Sequence, residues 1–286
     1  IATALNSRGQ LARAQDDYAA ARRLYQESLS ISQEIADPRG MAFSLNGLGV
    51  IAWTQGDDAT AQHLLEEALS LQRQVGDRPG LAHSLNNLGK VAWARGDTET
   101  AQCLYEESLV IERELGDKQG IAYSLHYMAS LARVQGDYAV ARALDEESLA
   151  IRQGIGNPWG IAESLINLGK TALAQRDYTV AREHYAAGLN IKQEIVDKQG
   201  LADCLEGFAR IASGQGNAER AARLYAAAQV LRQRVGVSPV SVERAEYDRD
   251  VEAARARLGA AFDAAWETGH TMTPEQAIAY ALGAGA

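Results

Sequence analysis

Cysteine is almost missing from this chain: Cys103 and Cys204 are the two among 286 residues. Two are too few for a disulfide framework, and their spacing matches no metal site. Each falls among apolar helical positions, so both are expected to serve as small buried hydrophobes in a reducing, cytoplasmic setting. No apolar run approaches the roughly 20 residues a membrane span requires, so no membrane partner is expected. A clustered basic stretch is missing as well. Lys and Arg total 28 against 37 Asp and Glu, a formal net charge of -9. Arginines scattered through an acidic chain are ill suited to gripping a phosphate backbone, which argues against nucleic acid. The opening Ile1-Ala2-Thr3 has neither the charged region nor the apolar core of a secretory signal. It also lacks Met, and further chain upstream is expected.

What the chain does have is a period. DPRGMAFSL (37–45), DRPGLAHSL (77–85), DKQGIAYSL (117–125), NPWGIAESL (157–165) and DKQGLADCL (197–205) place a glycine at 40, 80, 120, 160 and 200. One column is Leu5, Leu45, Leu85, Leu125, Leu165 and Leu205, and another is alanine throughout: Ala21, Ala61, Ala101, Ala141, Ala181 and Ala221. Self-similarity of this kind marks a repeat architecture.

Within a unit the apolar spacing is helical. Ile121, Leu125, Met128 and Ala132 fall on one stripe, and so do Ala101, Leu104, Tyr105, Ser108, Ile111 and Leu115. Between the halves stands Gly-Asp at 56–57, 96–97 and 136–137, relaxed to Arg176-Asp177 and Gly216-Asn217. Glycine there can close one helix in a left-handed conformation, and Asp or Asn can cap the next. Each unit is therefore a pair, with helix A near 38–55 and helix B near 57–76 in the first complete copy. Gly49 and Ala61 let the two approach closely. One pair cannot bury its stripes alone, so neighbours stack.

The pattern Leu45-x-x-Leu48-Gly49-x-x-Ala52, then Ala61-x-x-x-Leu65, resembles the tetratricopeptide repeat, with Leu for its Trp, Ala for its Tyr, and a period of 40 as in the extended subgroup. The resemblance implies an all-α fold, a right-handed α-solenoid of six helix pairs over 1–236, the first helix truncated at its start. After Gly236 the period is expected to stop, and 237–286 to form a C-terminal helical cap. That cap would hold one helix from about Val242 to Trp266 and another opened by Thr273-Pro274-Glu275-Gln276. Leu224-Tyr-Ala-Ala-Ala-Gln229, Arg244-Ala-Glu-Tyr247, Phe262-x-x-Ala265-Trp266-x-x-Gly269 and Met272-Thr-Pro-Glu-Gln-Ala277 resemble the C-terminal end of bacterial STAND-type and LuxR-type signalling ATPases. That resemblance implies a sensor region of a larger cytoplasmic regulator. No P-loop motif occurs here, so an ATPase partner would lie upstream in the same polypeptide.

Helix A of tetratricopeptide arrays lines a concave groove, and register carries the groove positions onto Phe43, Asn46 and Trp53, then His83, Asn86, Asn87, Lys90 and Trp93. Tyr123, His126, Tyr127 and Arg133 follow, with Asn167, Lys170 and Arg210 further on. Asparagine can donate to and accept from a peptide backbone, Trp and Tyr make rigid hot spots, and Lys90, Lys170 and Arg210 would form a basic ladder for carboxylates. The alternatives are that Asn and Lys merely solvate an exposed helix and that Trp53 and Trp93 pack against neighbours. The doublets Glu66-Glu67, Glu106-Glu107 and Glu146-Glu147 recur at one phase of helix B and read as a solvated face, not an acid–base pair. Histidines 63, 83, 126, 184 and 270 lack zinc spacing. The expectation is recognition of a protein or peptide, without enzymatic activity, cofactor or metal. Rival readings are a small-molecule sensor, with the aromatic cluster enclosing a metabolite, and a constitutive scaffold or self-association module.

Overall fold

The computed structural model describes the backbone of residues 1–15, 17–235 and 241–283, and the side chains of 1–15, 17–233 and 246–283. The boundary expected at 236–237 lies outside the described residues. Among them every regular element is a helix. Six pairs follow one another: α1 (Ala2–Ala14) with α2 (Tyr18–Glu34), α3 (Pro38–Thr54) with α4 (Asp58–Val75), and α5 (Arg78–Ala94) with α6 (Thr98–Leu115). Then come α7 (Lys118–Gln135) with α8 (Tyr138–Gly154), α9 (Pro158–Ala174) with α10 (Tyr178–Glu194), and α11 (Lys198–Gly214) with α12 (Ala218–Val235). The fold class is an all-α solenoid. The chain divides into two compact units, Ile1–Met128 and Ala129–Ala286, the division falling within α7.

Local chemistry sets the helix ends where the sequence places them. Asp57, Asp97, Asp137 and Asp177 each accept a hydrogen bond from the backbone N–H three residues on, at 3.1, 3.1, 3.2 and 3.1 Å, capping the B helices. Gly56, Gly96, Gly136 and Gly216 turn the chain at φ between 79° and 85°, where a side chain is disfavoured.

The glycines at 40, 80, 120, 160 and 200 have a different cause. A Cβ at Gly120 would lie 2.7 Å from Glu112 Oε1 and 2.8 Å from Asp117 Oδ2; at Gly40 it would meet Ser32 Oγ at 2.5 Å. The capping residue three before and a buried polar side chain eight before fill the space. That second column reads Ser32, Gln72, Glu112, Arg152, Lys192 and Arg232, all buried, and composition alone does not reveal it. Lys192, with no exposed side-chain surface, is held by Glu163 at 2.5 Å and Asp197 at 2.7 Å, and its ammonium lies 4.7 Å from the Trp159 ring. Burial pulls its pKa down, but the two carboxylates outweigh that and it ends raised. Lys192→Met, which strands two carboxylates, is expected to cost about 3–5 kcal/mol in urea denaturation; a loss below about 1 kcal/mol would show that solvent reaches the pair.

A second column explains the close packing of the A helices. Tyr25, Tyr105, Tyr185 and Tyr225 are buried at one phase of helix B. The ring of Tyr185 is wedged between two helices: a Cβ at Gly169 would lie 3.0 Å from Cδ2, and one at Gly207 would come 2.7 Å from Cδ1. Tyr25 sits likewise between Gly9 and Gly47. Position 47 of this register becomes Tyr127 in the third complete copy of the count, stacked on Tyr105 at 5.3 Å and 16°.

Three expectations change. Cys103 is exposed, although Cys204 is buried; Cys103 stands two residues after Ala101, off the stripe of Ala101, Tyr105 and Ser108. Leu115, also assigned to that stripe, is exposed at the end of α6. The single helix expected from Val242 to Trp266 is two, α13 (Ser241–Leu258) and α14 (Phe262–His270), parted by a 3-10 turn at Gly259–Ala261 where Gly259 has φ 54°. α15 (Pro274–Leu282) begins with the expected capping box: Gln276 N–H donates to Thr273 Oγ1 at 3.2 Å, and Thr273 N–H to Gln276 Oε1 at 2.9 Å.

Candidate functional site

The A-helix face of the first unit carries aromatic side chains around one cation. Lys90 on α5 is buried at 9% exposure. Its ammonium lies 4.8 Å from the Trp53 ring centroid on α3 and 5.7 Å from that of Tyr123 on α7. Among the described residues no carboxylate pairs with it. Ring faces stabilise an ammonium through their quadrupoles but leave its charge uncompensated. Tyr127 gathers the neighbouring rings, with Tyr123 edge-on at 4.8 Å, His126 at 5.0 Å and Trp93 at 6.2 Å. The structure thus brings together Trp53, Lys90, Trp93, Tyr123, His126 and Tyr127. Phe43, 42% exposed, and His83, also exposed, stand at the phase of Tyr123 on α3 and α5.

The asparagines are placed otherwise. Asn46, Asn86 and Asn87 are buried, and their amides are used inside the unit. Asn46 Nδ2 donates to Ser84 Oγ at 2.7 Å, and Asn87 Nδ2 donates to Asn46 Oδ1 at 3.0 Å. Asn86 Nδ2 donates to Glu112 Oε1 at 2.7 Å and its Oδ1 accepts from Ser124 Oγ at 3.0 Å. Glu112 also accepts from Ser108 and Ser124, yet burial still leaves its pKa raised. These amides knit consecutive A helices together instead of pointing into solvent. Column comparison could have found this, because Ser44, Ser84 and Ser124 recur beside Asn6, Asn46 and Asn86, and Ser44 Oγ donates to Asn6 Oδ1 at 2.9 Å.

In the second unit the charged face is largely answered from within. Glu163 goes to Lys192, and Arg232 donates to Asp203 at 2.6 Å and Glu206 at 2.8 Å. Arg210 is not an open rung of a basic ladder: its Nε donates to Asp250 at 2.8 Å and its Nη2 to Glu246 at 3.0 Å, both on α13. Tyr247 of α13 meets Tyr225 edge-on at 5.5 Å. Tyr247 and Asp250 stand forty residues after Gly207 and Arg210, so α13 keeps the phase of an A helix beyond Gly236. Asn167 is buried and donates to Asp145 at 3.5 Å, and Arg133 and Lys170 lie close enough to Asp145 to lower its pKa against the effect of burial. The Glu doublets at 66–67, 106–107 and 146–147 are exposed. Among the described residues no cluster of three or more His, Cys, Asp or Glu could hold a metal, and no helix is long and apolar enough to cross a membrane.

A family model described as tetratricopeptide repeat matches residues 1–74, 40–114 and 120–194. No curated protein matches the chain. Among solved structures, BtubC (BKLC) from P. vanneervenii is 24% identical with a TM-score of 0.57, over 66% of this chain and 78% of that one. A Rap protein complexed with competence and sporulation factor gives 15% and 0.65, over 89% and 74%. The Rap conjugation gene regulator of plasmid pLS20, in complex with the Phr* peptide, gives 12% and 0.62, over 88% and 73%.

Proposed function

The chain belongs to the tetratricopeptide-repeat family, and from that premise we propose that it is a protein- or peptide-binding module whose first unit takes a carboxylate-bearing segment on the A-helix face. The observation that carries this is Lys90: a buried lysine whose ammonium is held between Trp53 and Tyr123 without an acidic partner among the described residues. A carboxylate, from a side chain or a chain end, would supply the missing counter-charge, while Trp93, Tyr123 and Tyr127 would contribute contact area with few rotors to freeze. Asn46, Asn86 and Asn87 hold the wall of the site and do not face the ligand. Two Rap structures of similar fold contain a bound factor or peptide, which supports the same use of this fold here. The tail residues Leu224 to Gln229 and Phe262 to Ala277 support a place in a larger bacterial signalling regulator, with an ATPase upstream as partner.

The test is a random-peptide display selection on the wild-type chain, followed by calorimetry of the enriched peptides. Acidic or carboxyl-terminal sequences are expected, binding Lys90→Met at least about tenfold more weakly. Enriched peptides without a carboxylate requirement, or with equal affinity for Lys90→Met, would refute the assignment.

A further inference from the structure

We infer that the segment taken by the first unit is an acidic polyproline II helix with a proline at every third position, laid across α3, α5 and α7, a proposal that rests on the peptide reading above and adds the ligand's backbone shape. Two rows of rings cross these A helices at fixed phase. Phe43 on α3, His83 on α5 and Tyr123 on α7 form one row, the first two exposed and the third half-buried; Trp53 on α3 and Trp93 on α5, both half-buried, form the other. Lys90 joins the rows through its contacts with Trp53 and Tyr123. Later in the chain the first row continues as Glu163 and Asp203, and the second as Arg133, Leu173 and Ser213. The rings are thus particular to the early copies.

Spacing selects the ligand. The A helices touch directly, as the hydrogen bonds from Asn46 to Ser84 and from Ser124 to Asn86 show, and helices in such contact lie about 8–10 Å apart. A polyproline II helix presents the same face every three residues, about 9 Å, so one turn meets each A helix. An extended strand repeats its face about every 6.7 Å and drifts off the rings. An α-helix repeats at about 5.4 Å, so every second turn would find no ring.

Unused donors point the same way. Trp53, Trp93 and Tyr123 make ring and cation contacts but no hydrogen bond among the described residues. Two indole N–H groups and a phenol O–H in half-buried places call for acceptors. A polyproline II backbone has no internal hydrogen bonds, so its carbonyls are available, whereas those of an α-helix are already used. Proline rings lie flat on aromatic faces and have little freedom to lose. Charge complementarity places one acidic residue beside the middle turn, against the Lys90 ammonium.

Isothermal titration of the wild-type chain with two capped peptides tests this. One is Pro-Ala-Glu-Pro-Ala-Ala-Pro-Ala-Ala; the other has the same composition with its prolines two and four residues apart. The first is expected to bind at least about tenfold more tightly than the second, and to weaken about tenfold in the double variant Trp53→Phe, Trp93→Phe, which keeps both rings and removes both N–H donors. Equal affinity for the two peptides, lost in Lys90→Met, would overturn the proline spacing and leave the carboxylate reading standing. Spacing-dependent binding that Lys90→Met leaves unchanged would uphold the proline ladder and refute the counter-charge reading. Undiminished binding in the double variant, or no saturable binding of either peptide at millimolar concentration, would overturn the proposal.

Discussion

Gly207→Asn is expected to destabilise the second unit by roughly 2–3 kcal/mol, the cost of overpacking a filled core, and Tyr185→Leu in the same chain is expected to recover most of that. The Tyr185 ring is fully enclosed, with Gly169 against one edge and Gly207 against the other. An added side chain at 207 meets the ring, and the ring has nowhere to retreat. Helix propensity works the other way, since asparagine is a slightly better helix former than glycine, but only by tenths of a kcal/mol. The chain itself contains the alternative solution: where the wedge is Leu65, the register position of Gly207 is Asn87. Tyr185→Leu alone removes a buried ring and is expected to cost about 2–3 kcal/mol. The double variant should lie well above the sum of the two losses. A double-mutant cycle by urea denaturation measures the coupling, and strict additivity would mean that the two residues do not share one space.

Asp145→Asn is expected to stabilise the protein at pH 8, with an advantage over wild type that grows by about 2–3 kcal/mol between pH 5 and pH 8. Asp145 stands at the tyrosine phase of helix B, fully buried; its Oδ1 has one long hydrogen bond, from Asn167, and its Oδ2 has none. Burial raises its pKa to about 7, with Arg133 on α7, Asn167 and Lys170 on α9 and Arg152 on α8 acting against that. The folded state thus holds the proton more tightly than the unfolded chain, whose carboxyl titrates near 3.9. The penalty is small below that value, climbs as pH rises toward 7, and stays level above it. Asparagine has the same shape and no charge to bury. Thermal melts of both chains from pH 5 to pH 8 decide the matter. Parallel curves would show that water or the neighbouring arginines already solvate the carboxylate.

The fold was legible because its causes are local and repeated. Asp57 and Gly56 act on backbone groups within four residues, and Leu45, Leu85 and Leu125 recur often enough to fix helix period and pairing. The site was half legible. Register put Trp53, Lys90, Trp93, Tyr123 and Tyr127 on one face, and the structure gathers them. The same register could not say whether an amide points outward or along the wall, because Asn86 and Trp93 share a helix but differ by two turns. What Asn86 does depends on Glu112, on the other helix of its own pair, and on Ser124, one copy away. Helix α13 was hidden for another reason. Its phase survives while its chemistry is inverted, an acid at Asp250 where Lys90, Lys170 and Arg210 are basic, so it looked like an end to the period.

The polar column Ser32, Gln72, Glu112, Arg152, Lys192 and Arg232 makes each joint a lock with its own key. Near-identical repeats invite strands of history to cross: a chain slipping by one copy during folding, or a gene losing forty codons, keeps every leucine and alanine in step. Here such a slip would set Glu112 in the seat of Arg152, or Lys192 in that of Glu112, stranding a buried charge at several kcal/mol. Hydrophobic stripes make the copies interchangeable, and this column numbers them.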